Sequence, residues 1–285
     1  MPGVPGLFVP EHLEGWQKVV KAVHEKGGIF YAQLWHAGRT TIPHHTGHPT
    51  VSASATPIEG DVYCHHPPPF STEQVLYKDF PPEELSEQGI KDTISDFVSG
   101  AKMAMEAGFD GIELHAGNGY LPDQFLNDNI NKRTDKYGGS PAKRCQFTLE
   151  LMTALADAIG AENCGIRLSP FGLFNQTRGS QRVETWSHLC RELKKNLPDM
   201  SYIHFIEPRF EQYHSYSEKD DIIKSWGMDP ENISLDIFRE IMGDTPLITA
   251  GGWNHENSWG VLESGKYDAI AYGRYFISNP DFVMR

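Results

Sequence analysis

The chain has 285 residues, of which 39% are hydrophobic and 22% charged, and a formal net charge of −13. That is an ordinary globular composition, and its acidity excludes a nucleic-acid surface, which needs clustered Lys and Arg. No apolar run is long enough to span a membrane, and the first residues lack the basic and apolar segments of a signal peptide. Cys64, Cys145, Cys164 and Cys190 show no CxxC spacing, so reduced thiols in a cytoplasmic protein are expected.

Residues 11–27 read as a helix, because Leu13, Trp16, Val19, Val20 and Val23 recur at helical spacing and Gly27-Gly28 stops it. Residues 29–35 read as a buried strand. Residues 36–82 look irregular and are rich in Pro and His. A loop of that length is usually functional; a lid insertion is expected, with a short hairpin around 50–64. A long helix at about 83–107 leads into a strand at 110–115. A polar loop at 127–140 follows, then a helix at 142–160, a strand at 164–169, a helix at 182–196 and a strand at 202–206. A helix at 233–242, a strand at 246–250, a short helix at 255–264 and a strand at 268–272 complete the pattern.

Strand and helix alternate without a domain break, which calls for a single domain over residues 1–285 built on a parallel sheet. Ile112 and Leu114 share one strand face and Glu113 and His115 the other; Ile166 and Leu168 likewise oppose Arg167. The polar parity brings Gln33, His115 and Arg167 to the C-terminal ends of neighbouring strands, where a (β/α)8 barrel collects its site. A doubly wound sheet normally carries Gly-x-Gly-x-x-Gly after its first strand, and this chain does not. The expectation is therefore an α/β TIM-type barrel. Six strands are recognisable where a closed barrel needs eight, so an N-terminally truncated barrel is expected.

The stretch from Asp110 to Tyr120 carries the chemistry. It opens as a strand and ends in His115, Asn118 and Tyr120. If one helical turn joins His115 to Asn118, the two side chains are neighbours. They can then grip one carbonyl oxygen, with the Tyr120 phenol beside them as an acid.

Six segments resemble the old yellow enzyme family of FMN-dependent ene-reductases, in that family's order. They are Gln33-Leu-Trp-His-Ala-Gly-Arg39, His115-Ala-Gly-Asn-Gly-Tyr120, Arg133-Thr-Asp-Lys-Tyr-Gly-Gly-Ser140, Gly165-Ile-Arg-Leu-Ser-Pro170, Ala250-Gly-Gly-Trp253 and Ala271-Tyr-Gly-Arg-Tyr-Phe-Ile-Ser-Asn-Pro280. The resemblance implies a TIM barrel with FMN at its C-terminal mouth. NADPH or NADH reduces the flavin, which gives a hydride to the β-carbon of an α,β-unsaturated carbonyl compound, an enone or enal. It implies that His115 and Asn118 hold the carbonyl oxygen and that Tyr120 protonates the α-carbon. Gln33 and Arg167 would contact the flavin's pyrimidine edge, Gly251, Gly252, Gly273 and Arg274 its phosphate, and Trp35 would line the substrate cavity.

Other readings stay open beside these. The same scaffold can support a redox-neutral isomerase or cyclase, and a barrel short of two strands can be a non-catalytic relative or a homo-oligomer. Arg167 could pair with Glu113 instead of a cofactor. His44, His45, His48, His65 and His66 lack a recurring ligand spacing, so a solvated lid is expected there and no metal. The segment from Arg133 to Ser140 should brace the barrel rim. Trp226 and residues 213–216 either border the substrate or cover the mouth. The segments 36–82 and 209–230 should set substrate choice.

Overall fold

The computed structural model describes residues 4–208 and 216–284. Helix α1 (Pro10–His24) leads into strand β1 (Tyr31–Leu34). The chain then leaves the main sheet for an excursion carrying α2 (Pro43–Thr46) and the two-residue strands β2 (Val51–Ser52) and β3 (Glu83–Glu84). It returns through α3 (Glu87–Ala107) to β4 (Gly111–Ala116). Next come α4 (Leu121–Leu126), α5 (Pro141–Ile159), β5 (Cys164–Leu168), α6 (Arg182–Asn196) and β6 (Tyr202–Ile206). The described chain ends with α7 (Tyr216–Ser225), α8 (Asp236–Met242), β7 (Leu247–Ala250), α9 (Ser258–Glu263), β8 (Ala269–Ala271) and α10 (Arg274–Ser278).

The main sheet has the order β1-β4-β5-β6-β7-β8 and is parallel throughout. Its order follows the chain, as in a barrel wound by successive right-handed crossovers. All six strands read from the sequence are present. Helix ends follow local chemistry. Ser86 accepts the Gly89 N–H to start α3, and Gly108 ends it at φ 93°. Ser140 caps α5, with Pro141 as its first residue. Ile112, Leu114, Ile166 and Leu168 are fully buried in the core shared with α3 and α5. Burying such side chains contributes roughly 1.5–3 kcal/mol each.

The opposite face looks into the barrel. Two tyrosines floor it. A Cβ at Gly111 would lie 2.4 Å from the Tyr31 ring, and one at Gly165 would lie 2.5 Å from the Tyr202 ring. The rings are 5.5 Å apart, and the Tyr31 hydroxyl bonds Ser201 Oγ at 2.8 Å. Glycine is required at both positions so that each aromatic ring can cross the neighbouring strand.

The rim loops are held by buried arginines that bind backbone carbonyls. Arg39 donates to the carbonyls of Thr56, Pro57 and Asn175. Arg133 binds those of Ala53 and Leu85 and pairs with Asp135, which is the bracing expected of residues 133–140. Arg182 reaches the carbonyls of Pro170, Thr177 and Gly179 at 2.7, 2.5 and 3.0 Å, and its guanidinium lies 4.3 Å from the Trp226 ring. Trp226 therefore covers this clamp. Arg182→Met should leave three buried carbonyls unsatisfied and cost about 3 kcal/mol or more. That corresponds to a melting midpoint lower by roughly 6–12 °C, measurable by calorimetry; an unchanged midpoint would refute the clamp.

Two expectations are corrected here. No hairpin forms at 50–64: Val51–Ser52 pairs in parallel with Glu83–Glu84, and Tyr63 bridges Leu76. Nor is the 36–82 segment merely solvated, because Ile42, Ile58, Cys64 and Tyr77 give it a small core of its own. The histidines there are dispersed in role. His44 meets Phe80 edge-on, His45 bonds the Pro67 carbonyl, and His65 stacks on Phe174. Within the 209–230 segment, residues 209–215, including Tyr213, lie outside the described residues, and 216–225 form α7.

Candidate active site

His115 is the penultimate residue of β4, and the chain then turns sharply. The turn is not the helical one expected. Asn118 and Gly119 are both left-handed, at φ 55° and 72°. A non-glycine residue there is strained by roughly 1 kcal/mol or more, so the turn must be held from outside. The Asn118 N–H donates to Ser169 Oγ at 2.7 Å, and its carbonyl accepts from Asn175 Nδ2 at 2.8 Å. The Gly119 N–H donates to Asp123 Oδ2 at 2.7 Å, and its carbonyl accepts from Gln124 Nε2 at 2.8 Å. Tyr120 then caps α4, its carbonyl accepting the Gln124 N–H at 2.8 Å.

The His115 ring is 5% exposed. The Gly117 N–H points at its Nδ1, 3.3 Å away, so Nδ1 holds a lone pair. Burial, helped by the Arg167 cation, pushes its pKa down to about 3. The ring is therefore neutral, and its proton sits on Nε2, ready to donate. Tyr120 packs edge-on against both His115 and Trp35, at 5.1 and 5.0 Å between centroids. The structure thus brings His115, Tyr120 and Trp35 into one cluster. The indole Nε1 of Trp35 is buried without a partner.

Asp123, beneath the turn, has its pKa raised to about 6 by burial, against the N–H of Gly119 and the nearby Arg182, which lower it. The two shifts act oppositely on stability. His115, depressed on folding, contributes stability above pH 6.5 that is lost as pH falls towards 3. Asp123, raised on folding, contributes stability below about pH 4 that is lost as pH rises through 6. Between pH 4 and 6 the two slopes cancel. Asp123→Asn should unmask the histidine, adding about 3 kcal/mol of acid destabilisation between pH 6 and 4 relative to the parent. Urea melts at the two pH values measure this; parallel losses in both proteins would contradict it.

One layer lower, Glu113 does not pair with Arg167. Its Oε1 accepts from Gln33 Nε2 at 2.5 Å, and its Oε2 bonds His204 Nδ1 at 2.8 Å. Burial opposes ionisation of Glu113, but the His204 and Gln33 hydrogen bonds and the Arg167 charge outweigh it and hold the group below the usual range. Burial likewise keeps His204 neutral in spite of that carboxylate, so the contact is a hydrogen bond rather than an ion pair. Arg167 lies in register with both His115 and His204. Its Nε and the His204 Nε2 are buried without hydrogen-bond partners.

Beside this layer a cavity of about 680 Å³ is lined by Asn118, Arg167, Gly251, Gly252, Gly273 and Arg274, with Phe174 and Trp253. Gly251 and Gly252 adopt φ 114° and 67°, open only to glycine without strain. Six of the residues expected from the sequence therefore share one wall. Gln33, Trp35, His115 and Tyr120 do not line it; His115 lies beside it in register with Arg167. His204 was missed, although its place on the inward parity of 202–206 was legible. Ser169, Asn175 and Asp123 were missed too, since nothing local marks a residue that supports a distant turn. Among the described residues no three metal-ligating side chains converge, and no helix is long and apolar enough to cross a membrane.

The sequence model of the NADH:flavin oxidoreductase / NADH oxidase family matches residues 1–285. The chain is 43% identical over 290 residues to the flavin oxidoreductase hxnT of Emericella nidulans, covering 100% of this chain and 72% of that protein. It is 35% identical over 288 residues to 12-oxophytodienoate reductase 2 of Arabidopsis thaliana, covering 100% and 71%. The old yellow enzyme homologue from Zymomonas mobilis superposes with a TM-score of 0.84 at 29% identity, over 99% of this chain and 73% of that one. The old yellow enzyme from Trypanosoma cruzi gives 0.83 at 30%, over 99% and 73%.

Proposed function

Since the chain belongs to the old yellow enzyme family and is an FMN-dependent NAD(P)H oxidoreductase that reduces activated C=C bonds, we propose how its own residues carry that reaction. A small α,β-unsaturated carbonyl compound binds with its oxygen against His115 and Asn118. The observation that carries this is the neutral His115 ring, whose Nδ1 faces the Gly117 N–H and whose Nε2 therefore donates. Two donors on that oxygen draw charge from the alkene. Tyr120, packed against His115, delivers the proton to the α-carbon. Trp35 borders the substrate.

The residues fit the cofactor. Gly251 and Gly252, with Gly273 and Arg274, offer backbone approach and a cation for a phosphate. Arg167, with a buried donor lacking a partner, and Gln33 suit the polar edge of the ring. Bound FMN, once reduced by NADPH or NADH, supplies the hydride for the β-carbon. Residues 1–285 act as one domain, with 36–82 as a lid secured where His65 stacks on Phe174 and bonds Asn175 Oδ1 at 3.3 Å. A reducing, cytoplasmic setting suits four buried free cysteines.

Anaerobic incubation with FMN, a nicotinamide cofactor and a panel of simple enones tests the reading. The product should gain two hydrogens as nicotinamide is oxidised. A product of unchanged mass would instead indicate a redox-neutral isomerase or cyclase.

A further inference from the structure

The left-handed turn at Asn118 and Gly119 carries two backbone carbonyls, and a side-chain amide from another part of the chain holds each. The fully buried Gln124 donates from Nε2 to the Gly119 carbonyl at 2.8 Å, and Asn175 Nδ2 donates to the Asn118 carbonyl at 2.8 Å. A carbonyl only accepts, so each amide turns its NH2 to the turn and its oxygen away from it. Both oxygens meet the 36–82 lid. Gln124 Oε1 accepts the Arg39 N–H at 3.1 Å and the Ser52 hydroxyl at 2.8 Å, and its Nε2 also donates to the Ala37 carbonyl at 3.1 Å. Asn175 Oδ1 lies 3.3 Å from His65 Nε2, which therefore donates to it.

The lid also shapes the segment that carries Asn175. Asn175 and Gln176 are left-handed, at φ 56° and 58°, a conformation that non-glycine residues keep only under restraint. Arg39 binds the Asn175 carbonyl at 2.9 Å, and Gln176 exchanges two bonds of 2.8 Å with the Glu59 backbone. The two left-handed segments touch. A Cβ at Gly119 would lie 2.6 Å from Asn175 Cβ and 2.8 Å from the Phe174 carbonyl. Gln124, Asn175, Ser52 and His65 do not line the 680 Å³ cavity, whereas Asn118 does.

We propose that Gln124 and Asn175 are positioning residues that tie the carbonyl clamp to the lid. With the lid seated, both amides are aimed at the turn, and Asn118 is held where it lines the cavity. With the lid lifted, each amide loses the partners that orient it, and the strained turn relaxes. The pair of donors for the substrate oxygen is then complete only when the substrate is covered. The inference rests on the oxygen clamp proposed above and adds a condition for its assembly.

Three variants cut the link without altering a residue that lines the cavity. His65→Phe keeps an aromatic ring to stack on Phe174 and removes the N–H to Asn175. Ser52→Ala removes the hydroxyl from Gln124. Asn175→Gly tolerates the left-handed φ and removes one bridge whole. In cofactor-free protein, amide exchange followed by NMR should quicken at Asn118 and Gly119 by roughly 3–10-fold in His65→Phe and in Ser52→Ala, the worth of one hydrogen bond. Exchange in β5 and β6 should not change. In FMN-loaded protein, affinity for phenol, read from flavin absorbance, should fall by a similar factor while affinity for FMN holds. Adding His65→Phe to Asn175→Gly should cost nothing further, because the bridge is already cut. Additive losses in that pair, phenol affinity kept in His65→Phe, or exchange that quickens equally throughout the sheet overturns the inference and leaves the FMN reading standing. Should Asn175→Gly fail to fold, Ser52→Ala decides, and unchanged exchange at the turn in that variant overturns the inference. A parent that binds FMN but not phenol overturns the oxygen clamp and the inference together. A parent that binds no FMN overturns the FMN reading, and turn-amide exchange in the cofactor-free variants still judges the link to the lid.

Discussion

Tyr120→Phe should slow reduction of an enone by roughly 10²–10⁴-fold while flavin reduction by NADPH continues nearly unchanged. The substitution removes only the hydroxyl. The ring keeps its edge-on packing against Trp35 and His115, and the backbone keeps the cap that starts α4. The defect should therefore appear in the half-reaction that protonates substrate carbon and in no other. Stopped-flow absorbance separates the halves. Equal losses in both would mean that Tyr120 supports the site as a whole and is not the acid.

His115→Ala should cost about 10²–10³-fold in the same half-reaction, the usual loss for one preorganised donor to a developing oxyanion. It should also weaken phenolic ligands that mimic the carbonyl oxygen. The ring is neutral far below its ordinary titration range, so the parent's rate should show no step near pH 6.5 attributable to this histidine. His115→Gln, which restores an N–H donor, should recover part of both losses. Unaltered phenol affinity in His115→Ala would refute the oxygen clamp.

The legible parts of this molecule are those where one local pattern decides the outcome. Alternation along 110–116 separated Ile112 and Leu114 from Glu113 and His115, and burial in the core on one side and the site on the other follows it. The helix expected at about 182–196 was legible from its apolar face, and it runs Arg182–Asn196. The turn after His115 was not. A helical turn is the default for three residues ending at a helix, and the left-handed Asn118 depends on Ser169 and Asn175, 51 and 57 residues away. The short helices α2, α4 and α10 escaped for a related reason, since four to six residues carry little periodicity, and α9, of the same length, was read only with wider bounds. Glu113 was seen only as a partner for Arg167. Its true partners lie on β1 and β6, and register across three strands is not written in any of them singly.

Flavin absorbance of the purified chain after incubation with FMN and gel filtration bears most directly on the mouth of this barrel as a flavin site. A yellow band should travel with the protein peak and be lost or strongly diminished in Arg167→Leu, which removes the cation between His115 and His204. A colourless protein peak, or a band that Arg167→Leu leaves intact, would contradict the placement of the cofactor.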